Sequence, residues 1–119
     1  MILNLSILKV CDNSGVKYAK CFKVYKSSVG IIGSYIYTSV KEIKSKSKLH
    51  KGDIVKAIIV RKKKTIDRKT GNYISFDTNE AVLLNDKYEI LGTRIFGPLP
   101  IELRKKKLLK LLSLTSILI

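Results

Sequence analysis

Short runs of alternating apolar and polar residues fill most of this chain, and turn formers separate them. Punctuation of this kind marks β-strands. Ile7 to Val10 reads as a strand leading into the turn Asp12-Asn13-Ser14-Gly15, since Asn and Gly tolerate a left-handed backbone. A second strand is predicted from Lys17 to Tyr25, with loose alternation. A loop with Gly30 and Gly33 follows over Lys26 to Ser34. Tyr35 to Ile43 is rich in β-branched and aromatic residues and is predicted as a third strand. Lys44 to Lys48 alternates lysine with serine and is predicted as a loop, and Lys51-Gly52-Asp53 as a turn. The nearly continuous apolar run Ile54 to Val60 predicts a central strand.

Beyond it the pattern changes twice. Arg61 to Lys64 is four consecutive cations, Asp67 to Asn72 is a polar reversal, and Tyr73 to Asp77 alternates. Val60 to Phe76 therefore reads as a projecting two-stranded ribbon with basic flanks. Ala81 to Leu84 is another strand, and Ile90 to Phe96 a short one interrupted by Gly92. After Pro98, Pro100 suits a helix start. Ile101, Leu103 and Leu108 to Leu114 then recur at roughly helical spacing, with lysines on the other side. The fold class expected is mainly β: a small closed five-stranded barrel with a projecting ribbon and one or two short C-terminal helices. At 119 residues it is expected to be one domain, with the barrel over about 1–97, the ribbon over about 60–77 and the helical segment over about 98–119.

Charge narrows the function. Lys and Arg number 24 against nine acids, for a net charge of +15. The excess is +8 in residues 1–60 and +7 in 61–119, so it covers the body and is not a basic tail. A body charged throughout fits a polyanion met on several sides, and nucleic acid is the strongest candidate. Lys outnumbers Arg 20 to 4, and Lys, Ile, Asn and Tyr have AT-rich codons, which points to an AT-rich genome such as an organelle's. The N-terminus shows neither a signal-peptide pattern nor an Arg-rich transit pattern, and no apolar stretch is long enough to span a membrane.

Three basic clusters are candidate sites. The first is Lys41, Lys44, Lys46, Lys48 and Lys51, in a pliable loop that fits a phosphate backbone or is a solvated surface. The second is Arg61-Lys62-Lys63-Lys64 with Arg68 and Lys69. Four consecutive cations load both faces of a strand, so this run is expected outside the barrel and against RNA, with edge protection as the alternative. The third is Arg104, Lys105, Lys106, Lys107 and Lys110, where part of the charge serves the helix dipole and a membrane-surface helix is the rival. Arg94, between Gly92 and Gly97, can grip a phosphate or carboxylate, or form an internal ion pair. Catalysis and metal binding are not expected: the one histidine, His50, sits in a loop, the aspartates sit at turns, and Cys11 and Cys21 read as small apolar-run residues. No cofactor is implied.

Several motifs in order resemble one family over the full length. Leu8 to Gly15, Lys41-Glu42, Lys51 to Arg61, Phe76-Asp77, Asn79 to Asn85, Gly92 to Pro98 and Glu102-Leu103-Arg104 are similar to the universal L-fourteen family of large-subunit ribosomal proteins. The resemblance implies the barrel, the ribbon, binding to large-subunit rRNA, bridges to small-subunit rRNA, and contacts with ribosomal proteins L-three and L-nineteen. It implies a C-terminal face where a ribosome silencing factor docks, and no homo-oligomer. The expected RNA-binding residues are Asn13, Lys17, Lys44, Lys46, Lys48, Lys51, Arg61, Lys62, Lys63, Lys64, Arg68, Lys69, Arg104, Lys105, Lys106 and Lys107. Those expected to dock the factor are Thr93, Arg94 and Lys110. The chain departs from the family pattern at Lys26 to Ser34, at Ser45-Lys46-Ser47, and at Asp67 and Thr70 of the ribbon tip. Its tail, Thr115 to Ile119, is more apolar than the pattern and is expected to meet a lineage-specific protein. A mitochondrial ribosome is the favoured location, with a plastid or an AT-rich bacterium as rivals. A non-ribosomal RNA-binding or membrane-surface protein is the alternative function.

Overall fold

Five strands close on themselves, and two of them are apolar on both faces. In the computed structural model these are β4 (Ile54–Arg61) and β7 (Glu80–Leu84), paired antiparallel. Val55, Ala57, Ile59, Ala81 and Leu83 point into the barrel. Ile58, Val60, Val82 and Leu84 point outward into a second core under the C-terminal segment. A strand covered on both sides reads as a continuous apolar run, which is why this stretch lacks the alternation seen elsewhere.

The remaining walls are β1 (Ile7–Val10), β2 (Val16–Val24) and β3 (Tyr35–Ile43), joined antiparallel to one another and to β4. β1 then pairs in parallel with β7 and closes the cylinder in the order β1-β2-β3-β4-β7. Register shifts in β2 at Val16/Tyr18, Tyr18/Ala19 and Cys21/Lys23 explain its loose alternation. Closure leaves the barrel without an open edge. The structure describes residues 2, 6–25, 29–44, 47–64, 66–68, 71–105, 109–115 and 117–119, without the side chains of 66, 67, 105 and 109.

Two sequence expectations are corrected here. The ribbon begins later than Val60, since β4 runs through Arg61; β5 (Ile66–Asp67) and β6 (Tyr73–Ile74) form its short ladder. Residues 90–96 form no strand. Isolated bridges tie Ile90 to Leu84 and Ile95 to Asp12, and the segment crosses the barrel mouth as a strap. The ladder fails there because side chains, described below, take the place of a neighbouring strand.

The strap leads into α1 (Glu102–Lys105) and α2 (Leu109–Ser113). Helices this short are not stable alone and persist by packing. Leu99, Leu103, Leu111 and Leu112 are buried over the outer faces of β4 and β7. The apolar tail folds back: Leu99 donates to the Ile117 carbonyl at 3.0 Å and accepts from the Ile119 amide at 2.9 Å. Ile117, Leu118 and Ile119 nevertheless keep exposed side chains. No helix among the described residues is long and apolar enough to cross a membrane.

Candidate nucleic-acid interface

One end of the barrel gathers three segments that are far apart in sequence. The first is the β1–β2 turn. Asp12 is buried, and its carboxylate accepts from the Leu83 amide at 3.1 Å, the Ser14 amide at 3.1 Å and the Ser14 hydroxyl at 2.5 Å. The carboxylate thus stands in for a strand carbonyl against β7 and shapes the turn as well. The second segment is the end of β3 and the loop after it. Lys44 donates its amide to the Gly15 carbonyl, and Ser47 lies against Gly15 through its Cα and side chain. Lys44, Lys48 and Lys51 are exposed.

The strap is the third. Asn13 Oδ1 accepts from the amides of Thr93 at 2.8 Å and Arg94 at 3.2 Å, and Asn13 Nδ2 donates to Thr93 Oγ1 at 2.9 Å. Gly92 allows this approach, since a Cβ there would meet Asn13 Oδ1 at 2.7 Å. The Phe96 amide donates to the Cys11 carbonyl at 2.8 Å. Arg61 holds the far end of the strap: its Nη2 donates to the Phe96 carbonyl and its Nε to the Pro98 carbonyl, while Nη1 pairs with Glu80. Gly97, at φ +84°, leaves room for this guanidinium, whose Nη2 would sit 2.7 Å from an added Cβ.

Arg61 therefore corrects an expectation. It was placed outside the barrel against RNA, but it is 6% exposed and committed to the interior. The cost of burying its charge is offset by a carboxylate partner and two carbonyls, which engage all three of its nitrogens. Arg68 is likewise engaged within the protein. It grips Glu102 with Nε at 2.6 Å and Nη2 at 3.1 Å, and reaches the Ile119 oxygen at 2.6 Å. The ribbon is thus moored to the helical segment and tail. Asn13 is exposed, yet most of its hydrogen-bonding capacity serves the strap.

Other basic residues face outward. Lys17 pairs loosely with Glu42 at 3.5 Å. At the ribbon base Lys63 and Lys64 are exposed and Lys62 is half-buried. The Lys63 amide donates to Asn79 Oδ1 and the Phe76 amide to the Lys62 carbonyl, so the base is fixed. Burial, with Lys64 beside it, pulls the Lys62 ammonium below the usual lysine range. A phosphate placed there would reverse that pull. Arg94 is exposed, with its guanidinium 5.9 Å from the Phe96 ring and no carboxylate in ion-pair reach among the described residues. Lys44 approaches the same ring at 6.0 Å. Arg104 and Lys110 are exposed on the helical segment. Lys46, Lys69, Lys106 and Lys107 lie outside the described residues, as does the side chain of Lys105.

Both thiols are buried. Desolvation pushes Cys11 up to about 12 and raises Cys21 as well, so both are neutral packing groups. Chemically, this end of the barrel offers a hydrogen-bonded frame that carries exposed ammonium groups and an exposed arginine.

A sequence model of one family, Ribosomal protein L14p/L23e, matches residues 1–119. The chain belongs to that family. It is a structural constituent of the large ribosomal subunit, it resides on the ribosome, and it binds rRNA and ribosomal proteins there. Membership in L14p/L23e also accounts for charge spread over a closed barrel and not gathered in a tail. Sequence reasoning missed the buried Arg61–Glu80 pair and the use of Asn13 as a clasp. The signal for the first was present: a lone acid, Glu80, begins the apolar run that pairs with β4.

Proposed function

We propose that this protein anchors folded large-subunit rRNA through two surfaces. One is the barrel end with Lys44, Lys48 and Lys51. The other is the ribbon base with Lys62, Lys63 and Lys64. The observation that carries this reading is the gathering of exposed cations on rigidly held backbone, in a member of a ribosomal family. Rigid placement matters because phosphate contacts position a protein on RNA without reading its bases. Lys46, Lys69, Arg104, Lys105, Lys106 and Lys107 extend the set along the chain, and neighbouring contacts include small-subunit rRNA at bridges and ribosomal proteins L-three and L-nineteen. The codon-biased composition favours a mitochondrial ribosome.

The exposed strap and helical segment, with Thr93, Arg94 and Lys110, serve as the dock for a ribosome silencing factor in this reading. Arg94 supports it because its guanidinium is held out to solvent while the backbone beneath it is clasped by Asn13. Two measurements test the pair of roles. The protein should co-sediment with large subunits at moderate salt and be released by RNase; sedimentation with lipid vesicles instead would point to the membrane-surface alternative. Arg94→Ala should weaken capture of a silencing factor about tenfold or more, the scale of a lost charged contact, while subunit assembly is retained. Failed assembly in that variant would place Arg94 on RNA.

A further inference from the structure

A cavity of about 350 Å³ opens beside the strap, lined by Asn13, Ser14, Lys48, Leu49, Leu91, Gly92 and Thr93. That volume lies in the ~300–1,000 Å³ range in which proteins hold small ligands. We propose that this cavity seats one unstacked nucleotide of the rRNA. The proposal rests on the rRNA-binding reading above and adds to it a particular site.

The lining chemistry carries the argument. Leu49 and Leu91 supply apolar walls, one half-buried against the barrel core and the other 40% exposed. A flat base would cover such surface, whereas a bare phosphate has no apolar face to offer it. The polar groups are set by their internal partners. Asn13 Nδ2 gives one hydrogen to Thr93 Oγ1 and keeps a second. Thr93 Oγ1 accepts that bond, so its own proton is left to donate. The Ser14 hydroxyl donates to Asp12 Oδ1 and so presents lone pairs outward. Two donors and one acceptor stand close together, which is the mixture that a base edge requires.

Electrostatics agree. Lys48 is exposed at the rim, where a nucleotide's phosphate would lie. The carboxylate of Asp12 is 1% exposed, with its oxygens turned to the Leu83 amide and to Ser14, so it is not among the lining residues and makes no direct contact with a phosphate at the rim. The walls are preorganised, because Asn13 ties the turn to the strap and the Leu91 amide donates to the Leu83 carbonyl at 3.2 Å. An unstacked base would therefore enter a formed site, without the ordering cost that weakens flexible ones.

The test uses the full-length protein. The four nucleoside 5′-monophosphates are titrated separately while the backbone amides of Leu49, Gly92 and Thr93 are followed by NMR. Ribose 5-phosphate, which has the charge but no base, is the control. At least one nucleotide should shift these amides saturably and bind about tenfold or more tightly than ribose 5-phosphate. Leu91→Ala, with an otherwise unchanged amide spectrum, should weaken that nucleotide about fivefold. Equal binding of ribose 5-phosphate, shifts confined to other residues, or an unaffected Leu91→Ala variant would each overturn the proposal. In large subunits free of silencing factor, crosslinking of Leu49 and Leu91 to a protein neighbour instead of rRNA would overturn it too. Co-sedimentation separates the two levels. If it persists while no nucleotide binds, the cavity proposal fails alone; if it is lost, the rRNA-binding reading fails.

Discussion

Arg61 shows how a single side chain changes role when its partners are distant in sequence. Read locally it is the first of four cations and belongs with RNA. In the fold it is the last residue of β4, opposite Glu80 in the register with β7. Val60 already faces the second core, so simple alternation would turn Arg61 the other way; a register shift between Ile59 and Arg61 interrupts the alternation there, and the guanidinium reaches the Phe96 and Pro98 carbonyls. Removing one member of a buried pair leaves a desolvated charge, which costs about 3–5 kcal/mol. Arg61→Met should therefore lower stability by about that amount in urea unfolding. Arg61→Met with Glu80→Leu should recover most of the loss and leave about 1–2 kcal/mol, the share of the Phe96 and Pro98 carbonyls that lose their donor. A single variant as stable as the parent would mean that the pair is not structural. Asp53 was legible from the sequence, because its carboxylate accepts from the His50 amide three residues away; Asp12 was legible only in its turn role, because it also accepts from the distant Leu83 amide. Arg61 was not, because its partners lie 19, 35 and 37 positions away.

Among elements, the strap over residues 91–98 is the one whose form the pattern misjudged. Its composition suggested a short strand interrupted at Gly92. What could not be read from the sequence was that Asn13 would occupy the place of a neighbouring backbone. The five barrel strands were legible to within a residue or two, because each carries its own alternation or apolar run. The C-terminal helices were legible in type through Leu103, Leu111 and Leu112, all buried as their spacing implied. The middle of the strap, where Asn13 binds Thr93 and Arg94, has a specific weakness. Asn13→Ala removes the acceptor for two amides and one further bond to Thr93. Hydrogen exchange at the Thr93 and Arg94 amides should then quicken about tenfold or more, matching roughly 1.4 kcal/mol of local opening. Amides of β4 should be unaffected at this level. Uniform acceleration across the barrel would show that the clasp supports the whole fold and is not a local fastening.

For the molecule as a whole, the question is whether +15 charges act as one field or as separate contacts. The body spans 43 × 30 × 26 Å, while the screening length at physiological salt is about 8 Å. Clusters at the barrel end, the ribbon base and the helical segment thus act nearly independently, and their contributions to RNA binding should add. Internal pairing also divides the cations by role. Arg61 and Arg68 are engaged within the protein, whereas Lys44, Lys48, Lys51, Lys63, Lys64 and Arg104 are exposed. Each phosphate contact contributes about 0.7–0.9 to the slope of log K against log salt. The exposed six alone predict a slope of at least about 4 in magnitude for binding to large-subunit rRNA. Lys48→Gln and Lys63→Gln should each reduce the slope by about 0.7–0.9, and the double variant by their sum. Arg68→Gln should leave the slope unchanged, because that guanidinium already has its carboxylate in Glu102. A slope near zero would remove the phosphate backbone as the main partner. A slope that fell as much for Arg68→Gln as for Lys48→Gln would show that total charge, and not its placement on the frame, governs the binding.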